Sequence, residues 1–241
     1  MIELKQLTKT YGTKKKVCGV FDVNLCAADG AVTGILGLNG AGKTTLIKAI
    51  CGIHCKTSGT ILLDGMESTE LALRAASGLV PEQPLLYESF TVQEFLYTAA
   101  DLRGIPGADI PSAVRHVMAQ CGLDEYAAAR IATLSKGFRQ RVSFAQAIIH
   151  NPSVLVLDEP AGGLDPAQIV QLRALIRKSA AKRTVILCTH LMQEAEALCD
   201  TIYVIAQGRI AAHGTTAQLC AQTKARNLEE AFLFLTGTAV P

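Results

Sequence analysis

The stretch Gly37-Leu38-Asn39-Gly40-Ala41-Gly42-Lys43-Thr44-Thr45 decides how the rest of this chain is interpreted. It matches the pattern G-x-x-x-x-G-K-[ST], in which backbone N–H groups curl around phosphate oxygens. Residues 31–36 before it are apolar and strand-like, and residues 44–50 after it carry apolar side chains at helical spacing. Because a helix N-terminus and Lys43 both supply positive charge here, the stretch predicts a phosphate-binding loop, the P-loop.

Length and composition favour one foldable unit. The chain has 241 residues, of which 49% are hydrophobic and 18% charged. A net charge of +2 gives no argument for a nucleic-acid partner. Apolar runs such as residues 154–157 are too short to cross a bilayer. Since residues 1–5 lack the features of a signal peptide, we expect a cytoplasmic protein unless a partner holds it at a membrane.

Eight cysteines raise the question of disulfides or a zinc site. No C-x-x-C pair occurs. The cluster Cys51-Gly52-Ile53-His54-Cys55 has possible ligands but no second half at zinc-site spacing. Most of the cysteines lie in apolar patterns, so we expect buried free thiols.

The order of the predicted elements indicates the fold class. Residues 2–30 and 59–65 have strand patterns, and later strands alternate with helices. A helical block interrupts this alternation, with a capping box at Thr91-Val92-Gln93-Glu94 and a second helix over about 112–121. We therefore predict an α/β fold with a mostly parallel sheet, a P-loop NTPase (RecA-like) core and an inserted α-helical subdomain.

The predicted organisation is a single domain over residues 1–241. An antiparallel β subdomain covers about 1–30 and 58–66, and the α-helical subdomain covers about 84–150. A helix is expected over 166–178 and a hairpin over 201–213, turning at Gln207-Gly208. A C-terminal helix is predicted over about 227–236, starting at Asn227 with Glu230 as its capping partner and stopping at Gly237.

Polar side chains follow two of the buried strands. Asp158-Glu159 comes directly after the apolar run 154–157, and Thr189-His190 follows the run 184–188. In an open parallel sheet, ligands bind beyond the carboxyl ends of the strands. We therefore expect these groups to meet Lys43 at one edge.

This set of groups suits phosphoryl transfer to water. Thr44 and Asp158 could hold Mg²⁺, the aspartate through water, while the loop holds a triphosphate. Glu159 could hold an attacking water as general base or polariser, because adjacent side chains leaving a strand diverge. His190 could sense the γ-phosphate.

One further stretch, Leu134-Ser135-Lys136-Gly137-Phe138-Arg139-Gln140-Arg141, precedes a helix with apolar spacing. Ser135 and Gly137 at the start of that helix would form either an anion site or a simple cap. The stretch lies shortly before Asp158-Glu159. Together with the P-loop, it resembles the ATP-binding cassette of ABC transporters over essentially the whole chain.

The resemblance implies a role for each matching stretch. Residues 37–45 match Walker A, 134–138 the signature motif and 154–159 Walker B, with Glu159 at the catalytic glutamate. Tyr11, which we expect in a loop, matches the adenine-stacking aromatic. Residues 163–165 match the D-loop, which ends at Asp165, and His190 matches the switch histidine. The Q-loop glutamine corresponds to Glu82 when aligned through Val80-Pro81, or to Gln83 one place later.

The resemblance also implies partners. Two cassettes close head to tail, so Ser135 and Gly137 would serve the ATP of a second cassette, in a homodimer or a heterodimer. The helical block would contact an integral-membrane permease at the cytoplasmic face. The usual signature Leu-Ser-Gly-Gly-Gln is Leu-Ser-Lys-Gly-Phe here. That variant and the tail 228–237 look like the branch that pairs with ABC-2 type permeases, mostly exporters.

Three other functions compete with an exporter ATPase using ATP and Mg²⁺. Soluble ABC-type ATPases that act on ribosomes or DNA usually carry two cassettes or a long coiled-coil insertion, which this sequence lacks. A P-loop kinase would not explain residues 134–141. A degenerate cassette that binds ATP without turnover is disfavoured because Glu159 and His190 are both present.

Overall fold

The strands of the protein form two sheets in a computed structural model that describes residues 1–13 and 16–237. The strands are β1 (Ile2–Thr13), β2 (Lys16–Ala27), β3 (Val32–Leu36), β4 (Ser58–Leu63), β5 (Met66–Glu67), β6 (Ser77–Val80), β7 (Val154–Asp158), β8 (Thr184–Thr189), β9 (Thr201–Ala206) and β10 (Arg209–Gly214). The larger sheet has the order β10-β9-β3-β8-β7-β6, and the smaller one β2-β1-β4-β5.

The helices lie between these strands in sequence. They are α1 (Lys43–Ile50), α2 (Glu70–Ala76), α3 (Val92–Leu102), α4 (Ile110–Cys121), α5 (Lys136–Ile148), α6 (Pro166–Ala180), α7 (Met192–Leu198), α8 (Thr216–Thr223) and α9 (Leu228–Thr236). Two short 3₁₀ turns cover Asp124–Tyr126 and Ile131–Thr133. In the parts of the chain described above, no helix is long and apolar enough to span a bilayer.

The larger sheet is parallel except at one edge. β6, β7, β8, β3 and β9 run in the same direction, and β10 returns antiparallel to β9. Every residue of β3, β7 and β8 is buried. On β7, Leu155 and Leu157 pack with the helical side, and Val154 and Val156 pack with the smaller sheet. Burial on both faces explains the unbroken apolar runs and confirms the prediction for 154–157.

The smaller sheet is antiparallel and includes the predicted strands of residues 2–27 and 58–63. The expectation that Tyr11 lies in a loop is wrong. Tyr11 lies within β1 and pairs with Cys18 of β2. Two register shifts bend this long hairpin, so apolar alternation fades before the strand ends.

The helical block begins as the sequence predicts. Thr91 Oγ1 accepts from the Glu94 N–H at 3.2 Å, and the Glu94 carboxylate accepts from the Thr91 N–H at 2.8 Å. α4 starts two residues earlier than predicted, since Pro111 is tolerated in a first helical turn. The helices α3, α4 and α5 share one apolar core with β7 and β8. The proposed subdomain boundaries stay a prediction.

Other local expectations need correction. α6 extends to Ala180, two residues beyond the predicted end. Asn227 caps α9 as predicted, but the Glu230 carboxylate binds the Arg226 backbone and guanidinium instead of the Asn227 N–H. All eight cysteines are free, but only Cys51, Cys121 and Cys188 are buried as expected. The prediction is wrong for the exposed Cys18, Cys26 and Cys55, and Cys199 and Cys220 are only partly buried. The described residues contain no cluster suited to a metal of the zinc-site type.

Candidate active site

The P-loop connects the buried end of β3 to the first turn of α1. Gly40 and Gly42 have φ values of 82° and 109°, a region in which side chains are strained. A Cβ added to Gly42 would lie 2.8 Å from Cγ1 of Val20. At Gly37 it would lie 2.8 Å from the Ile205 carbonyl oxygen. Only glycine therefore allows the loop to curl this tightly against β2 and β9.

Lys43 supplies a buried cation at the centre of the loop. Its side chain is 7% exposed, and Nζ donates to the Gly37 carbonyl at 2.8 Å. The same Nζ lies 3.2 Å from Oε1 of Glu159, which follows β7. The ammonium group thus lies between the loop backbone and the Glu159 carboxylate, and the two side chains meet at one edge of the sheet as predicted.

Thr44 and Asp158 present oxygen atoms to each other. Thr44 Oγ1 donates to Asp158 Oδ2 at 3.2 Å, while the buried Oδ1 has no protein partner among the described residues. Burial raises the pKa of Asp158, and the nearby Glu159 and Glu82 carboxylates raise it further. A hydroxyl and a carboxylate with a spare oxygen are ligands that Mg²⁺ accepts, so these residues fit the metal named above.

Glu159 takes an unusual backbone conformation directly after β7. Its φ is 47°, and its N–H donates to the Cys188 carbonyl of β8 at 2.9 Å. Its Oε2 accepts from the Thr189 hydroxyl and from the His190 N–H, both at 3.2 Å. These contacts hold a non-glycine residue in the left-handed region, which is strained and found often at functional sites.

His190 lies at the mouth of the same site. Its Nδ1 is 2.9 Å from Oε1 of Glu159, and its side chain is 46% exposed. The histidine can therefore reach a ligand from the solvent side while it contacts the buried carboxylate. Thr189, which precedes it, orients that carboxylate. Sequence analysis gave Thr189 no role, although its place at the strand end was visible.

These groups line one cleft of about 220 Å³, which we call the P-loop cleft. Both Glu82 and Gln83 are exposed, but only Glu82 lines the cleft. Of the two Q-loop candidates, the structure therefore brings Glu82 to the site. The lining residues are Leu38, Asn39, Gly40, Gly42, Lys43, Thr44, Thr45, Glu82, Asp158, Glu159 and His190.

Tyr11 lies outside the lining of this cleft. Its hydroxyl bonds to Nδ1 of His54, in the turn after α1, and Lys9 Nζ lies 4.9 Å from its ring centre. The ring is 36% exposed, so one face can still be reached from solvent. Sequence analysis missed His54 as the group that holds this ring.

The signature stretch also lies away from the P-loop cleft of its own chain. Ser135 caps α5 by accepting from the Phe138 N–H at 3.4 Å, and both Ser135 and Lys136 are exposed. Leu134 and Gly137 are buried. Phe138 packs on Tyr126 with ring centres 4.0 Å apart. Among the described residues, no carboxylate pairs with the exposed N-terminal end of α5.

The D-loop touches this stretch within the same chain. Asp165 caps α6 by accepting from the Gln168 N–H at 2.9 Å. A Cβ added to Gly137 would lie 2.5 Å from Cδ of Gln168, and one added to Gly163 would lie 2.4 Å from Nζ of Lys136. Gln168 was missed by sequence analysis, although the spacing Asp165-x-x-Gln168 is that of a capping box.

The family profile described as ABC transporter matches residues 20–162. The chain belongs to the ABC transporter family. The ABC transporter ATP-binding protein NatA of Bacillus subtilis (strain 168) is 31% identical over 238 residues, which is 97% of this chain and 97% of NatA. With that family and this fold, the chain is an ABC ATPase domain.

Two other relatives differ in length from this cassette. The Nod factor export ATP-binding protein I of Paraburkholderia xenovorans (strain LB400) is 37% identical over 91% of this chain and 72% of its own. The phospholipid-transporting ATPase ABCA3 of Homo sapiens is 34% identical over 89% of this chain, which spans only 13% of ABCA3.

Solved structures share the fold. The ATP-binding subunit of an ABC transporter superposes with a TM-score of 0.83 at 31% identity, covering 98% of this cassette and 99% of that chain. The cassette CbiO1 of Clostridium perfringens, part of the ABC transporter complex cbiONQ, gives 0.80 at 28% identity, covering 92% and 90%. A dimeric cassette in a post-hydrolysis state, bound to ADP and Pi, gives 0.79 at 24% identity over 89% and 98%.

Proposed function

We propose that this cassette binds and hydrolyses ATP with Mg²⁺, closes on a second cassette, and drives an ABC-2 type permease, as an exporter subunit at the cytoplasmic face of the membrane. The single observation that carries the proposal is the meeting of Lys43, Asp158, Glu159 and His190 in one cleft beside the P-loop.

The loop and Lys43 would hold the phosphates. Backbone N–H groups of the P-loop and the N-terminus of α1 favour negative charge at the point where Lys43 Nζ is already fixed. Thr44 and Asp158 would hold Mg²⁺, which neutralises charge on the phosphate oxygens when bound. Tyr11 would pack on the adenine ring.

Glu159 would act on the attacking water. Its carboxylate lies beside the P-loop and is oriented by Thr189 and by the His190 backbone. When phosphates draw Lys43 away, Glu159 Oε1 loses one of its two close neighbours and can accept a proton or a hydrogen bond from water. His190 Nδ1, at 2.9 Å from that oxygen, would report whether the γ-phosphate is present.

The signature residues would complete the site of a second copy. Ser135 and Lys136 are exposed at the start of α5 and do not line their own P-loop cleft. Their hydroxyl, ammonium group and helix N-terminus suit a phosphate that another subunit brings. Gly137, which has no side chain, allows the start of α5 to lie close to Gln168 of α6.

Export through an ABC-2 type permease is supported by likeness alone. NatA matches this cassette almost end to end, and another relative is named for Nod factor export. The signature Leu134 to Phe138 has the variant that looks like this branch. This chain spans only 13% of ABCA3, so we propose that the permease part of the transporter is supplied by sequence outside these 241 residues.

The proposed hydrolysis is tested by Glu159→Gln. This variant keeps the size of the side chain and removes its ability to take a proton, so we expect ATP-stabilised dimers and a loss of turnover of about 100-fold or more. Size-exclusion chromatography with light scattering in ATP and Mg²⁺ measures the dimer, and phosphate release measures turnover.

Glu196→Gln is the matched control, because Glu196 is an exposed glutamate on α7 outside the cleft lining. We expect wild-type turnover from it and no ATP-stabilised dimer. A Glu159→Gln protein that stays monomeric at saturating ATP and Mg²⁺, or that still hydrolyses at the wild-type rate, would refute the proposed mechanism.

A further inference from the structure

A second polar cleft, of about 540 Å³, lies at the opposite edge of the larger sheet. Arg183 directly precedes β8 and Asn151 shortly precedes β7, so the cleft is at the amino ends of the two strands whose carboxyl ends reach the P-loop cleft. We call it the Arg183 cleft. It is lined by Ser112, Ala113, His116, Val117, Gln120, Ile148, Ile149, Asn151, Lys182 and Arg183.

Arg183 is a buried cation without a carboxylate. Arg183 is only 7% exposed. Its Nη2 donates a long hydrogen bond, of 3.4 Å, to Asn151 Oδ1. Its Nε and Nη1 have no hydrogen-bond partner among the residues described. No aspartate or glutamate lines the cleft.

This arrangement is unfavourable for the protein alone. Burial lowers the pKa of Arg183, and no acidic neighbour raises it again. Buried arginines are usually paired with an anion. The free energy needed to remove their charge from water is larger than the free energy regained from neutral neighbours. Since the unpaired Nε and Nη1 are shielded from solvent, an anion in the cleft would offset this charge by lying beside the guanidinium.

The other lining groups are suited to the same anion. Ser112, His116 and Gln120 are spaced four residues apart and so lie on one face of α4. His116 Nε2 and Gln120 Nε2 are 2.8 Å apart and hydrogen-bonded, which fixes the imidazole beside the amide. Lys182 adds a second cation from the turn before β8. The cleft thus offers cations, a hydroxyl and an amide.

We propose that the Arg183 cleft binds a small soluble molecule that carries a phosphate group. A phosphate carries more negative charge than a chloride ion and has several acceptor oxygens, so it suits the two cations, the hydroxyl and the amide of this lining better. The site is separate from the P-loop cleft, with which it shares no lining residue. Its ligand is therefore additional to the nucleotide.

The test uses inorganic phosphate as the probe and the melting temperature of the whole chain as the readout, with sodium chloride at matched ionic strength. We expect phosphate to raise the melting temperature of the wild type and of Lys43→Ala, in which the P-loop contribution is weakened. In Arg183→Met made in the Lys43→Ala background we expect this rise to vanish, because affinity for phosphate at the Arg183 cleft should be at least about tenfold weaker. Without phosphate, Arg183→Met should melt no lower than wild type, because the unpaired charge is gone.

Two surface variants keep the proposal testable if Arg183→Met does not fold. Lys182→Ala and His116→Gln should each weaken phosphate binding by about threefold. Arg115→Ala removes an exposed cation from α4 outside the cleft and should leave binding unchanged. The proposal is overturned if phosphate does not stabilise the wild type, if Arg183→Met responds equally, or if Arg183-dependent binding occurs only to phosphatidic acid vesicles.

Discussion

Glu159 contacts several polar groups at the P-loop cleft from a strained backbone position. It has a positive φ, an ion pair with Lys43 and contacts with Thr189 and His190. Its carboxylate is thus paired with a cation that bound phosphates would compete for. We infer that an incoming triphosphate both fills the cleft and releases the group that would act on water.

Many of the residues that line this cleft could be predicted from the sequence. The P-loop pattern identifies Lys43 and Thr44, and the ends of two buried strands place Asp158, Glu159 and His190 near them. The left-handed conformation of Glu159 could not be predicted, since nothing in Asp158-Glu159-Pro160 demands it. Which of Glu82 and Gln83 lines the cleft also needed coordinates. Two neighbouring polar residues in a loop point in directions that sequence alone leaves open.

His150 gives a prediction about pH at this scale. Burial and the charges of Arg103 and Arg183 together lower its pKa to about 4, against the opposing effect of a hydrogen bond from Nε2 to the Ser77 carbonyl at 3.2 Å. The folded protein therefore holds fewer protons than the unfolded chain between about pH 6.5 and pH 4. Stability from the neutral imidazole is complete above that window and is lost as the pH falls through it.

We expect His150→Gln to flatten this part of the stability curve, because glutamine can still donate to Ser77 but cannot become charged. Melting temperatures measured in steps from pH 7 to pH 5 check it. His213→Gln, an exposed histidine on β10, is the control. An unchanged acid slope in His150→Gln would contradict the assignment.

At the scale of elements, two arginines of α6 form ion pairs, one with a carboxylate of α7 and one with a carboxylate just after α7. Arg173 Nη2 lies 2.7 Å from Oε1 of Glu194, whose side chain is 6% exposed. Arg177 Nη1 lies 3.1 Å from Oδ1 of Asp200, and both of those side chains are about half exposed. Since α6 follows the D-loop and α7 follows His190, the first pair links the two elements that border the catalytic edge.

Arg173→Met should lower the free energy of unfolding by about 2 kcal/mol, because it leaves the Glu194 carboxylate buried without its cation. It should also lower ATP turnover by loosening α7 behind His190. Denaturant unfolding and phosphate release measure the two effects. Arg177→Met, which removes an exposed pair, should cost less than about 1 kcal/mol.

A second substitution separates charge from packing. Adding Glu194→Met to Arg173→Met should recover most of the lost stability, since no unpaired carboxylate then remains. If the double variant is no more stable than Arg173→Met, the pair does not act as described.

Element prediction succeeded where apolar patterns were long and failed where elements were short. β7, β8, α3 and α9 were found with errors of a few residues. α7 was missed because it has seven residues and its N-cap residue, Leu191, makes no side-chain capping hydrogen bond. α8 was missed because only Leu219 is buried, although the capping box of Thr215 and Gln218 was a usable signal.

At the scale of the whole molecule, the P-loop cleft and the signature stretch are two separate surfaces of one chain. Asn39 is exposed in the P-loop, and Ser135 is exposed at the start of α5. In a head-to-tail dimer these surfaces would face each other across two equivalent sites. Fold class and family were predictable from the order of motifs. The proposed pairing of two copies rests instead on the separation of the P-loop cleft from the signature stretch within one chain.

Disulfide trapping between two single variants tests this pairing most directly. Asn39→Cys and Ser135→Cys, each made in the Glu159→Gln background, are mixed and oxidised with and without ATP and Mg²⁺. Each variant alone reports the background from the exposed native cysteines. We predict an ATP-dependent covalent dimer in the mixture beyond that background. A mixture that binds ATP but cross-links no more than either variant alone would contradict the claim that one chain completes the site of another.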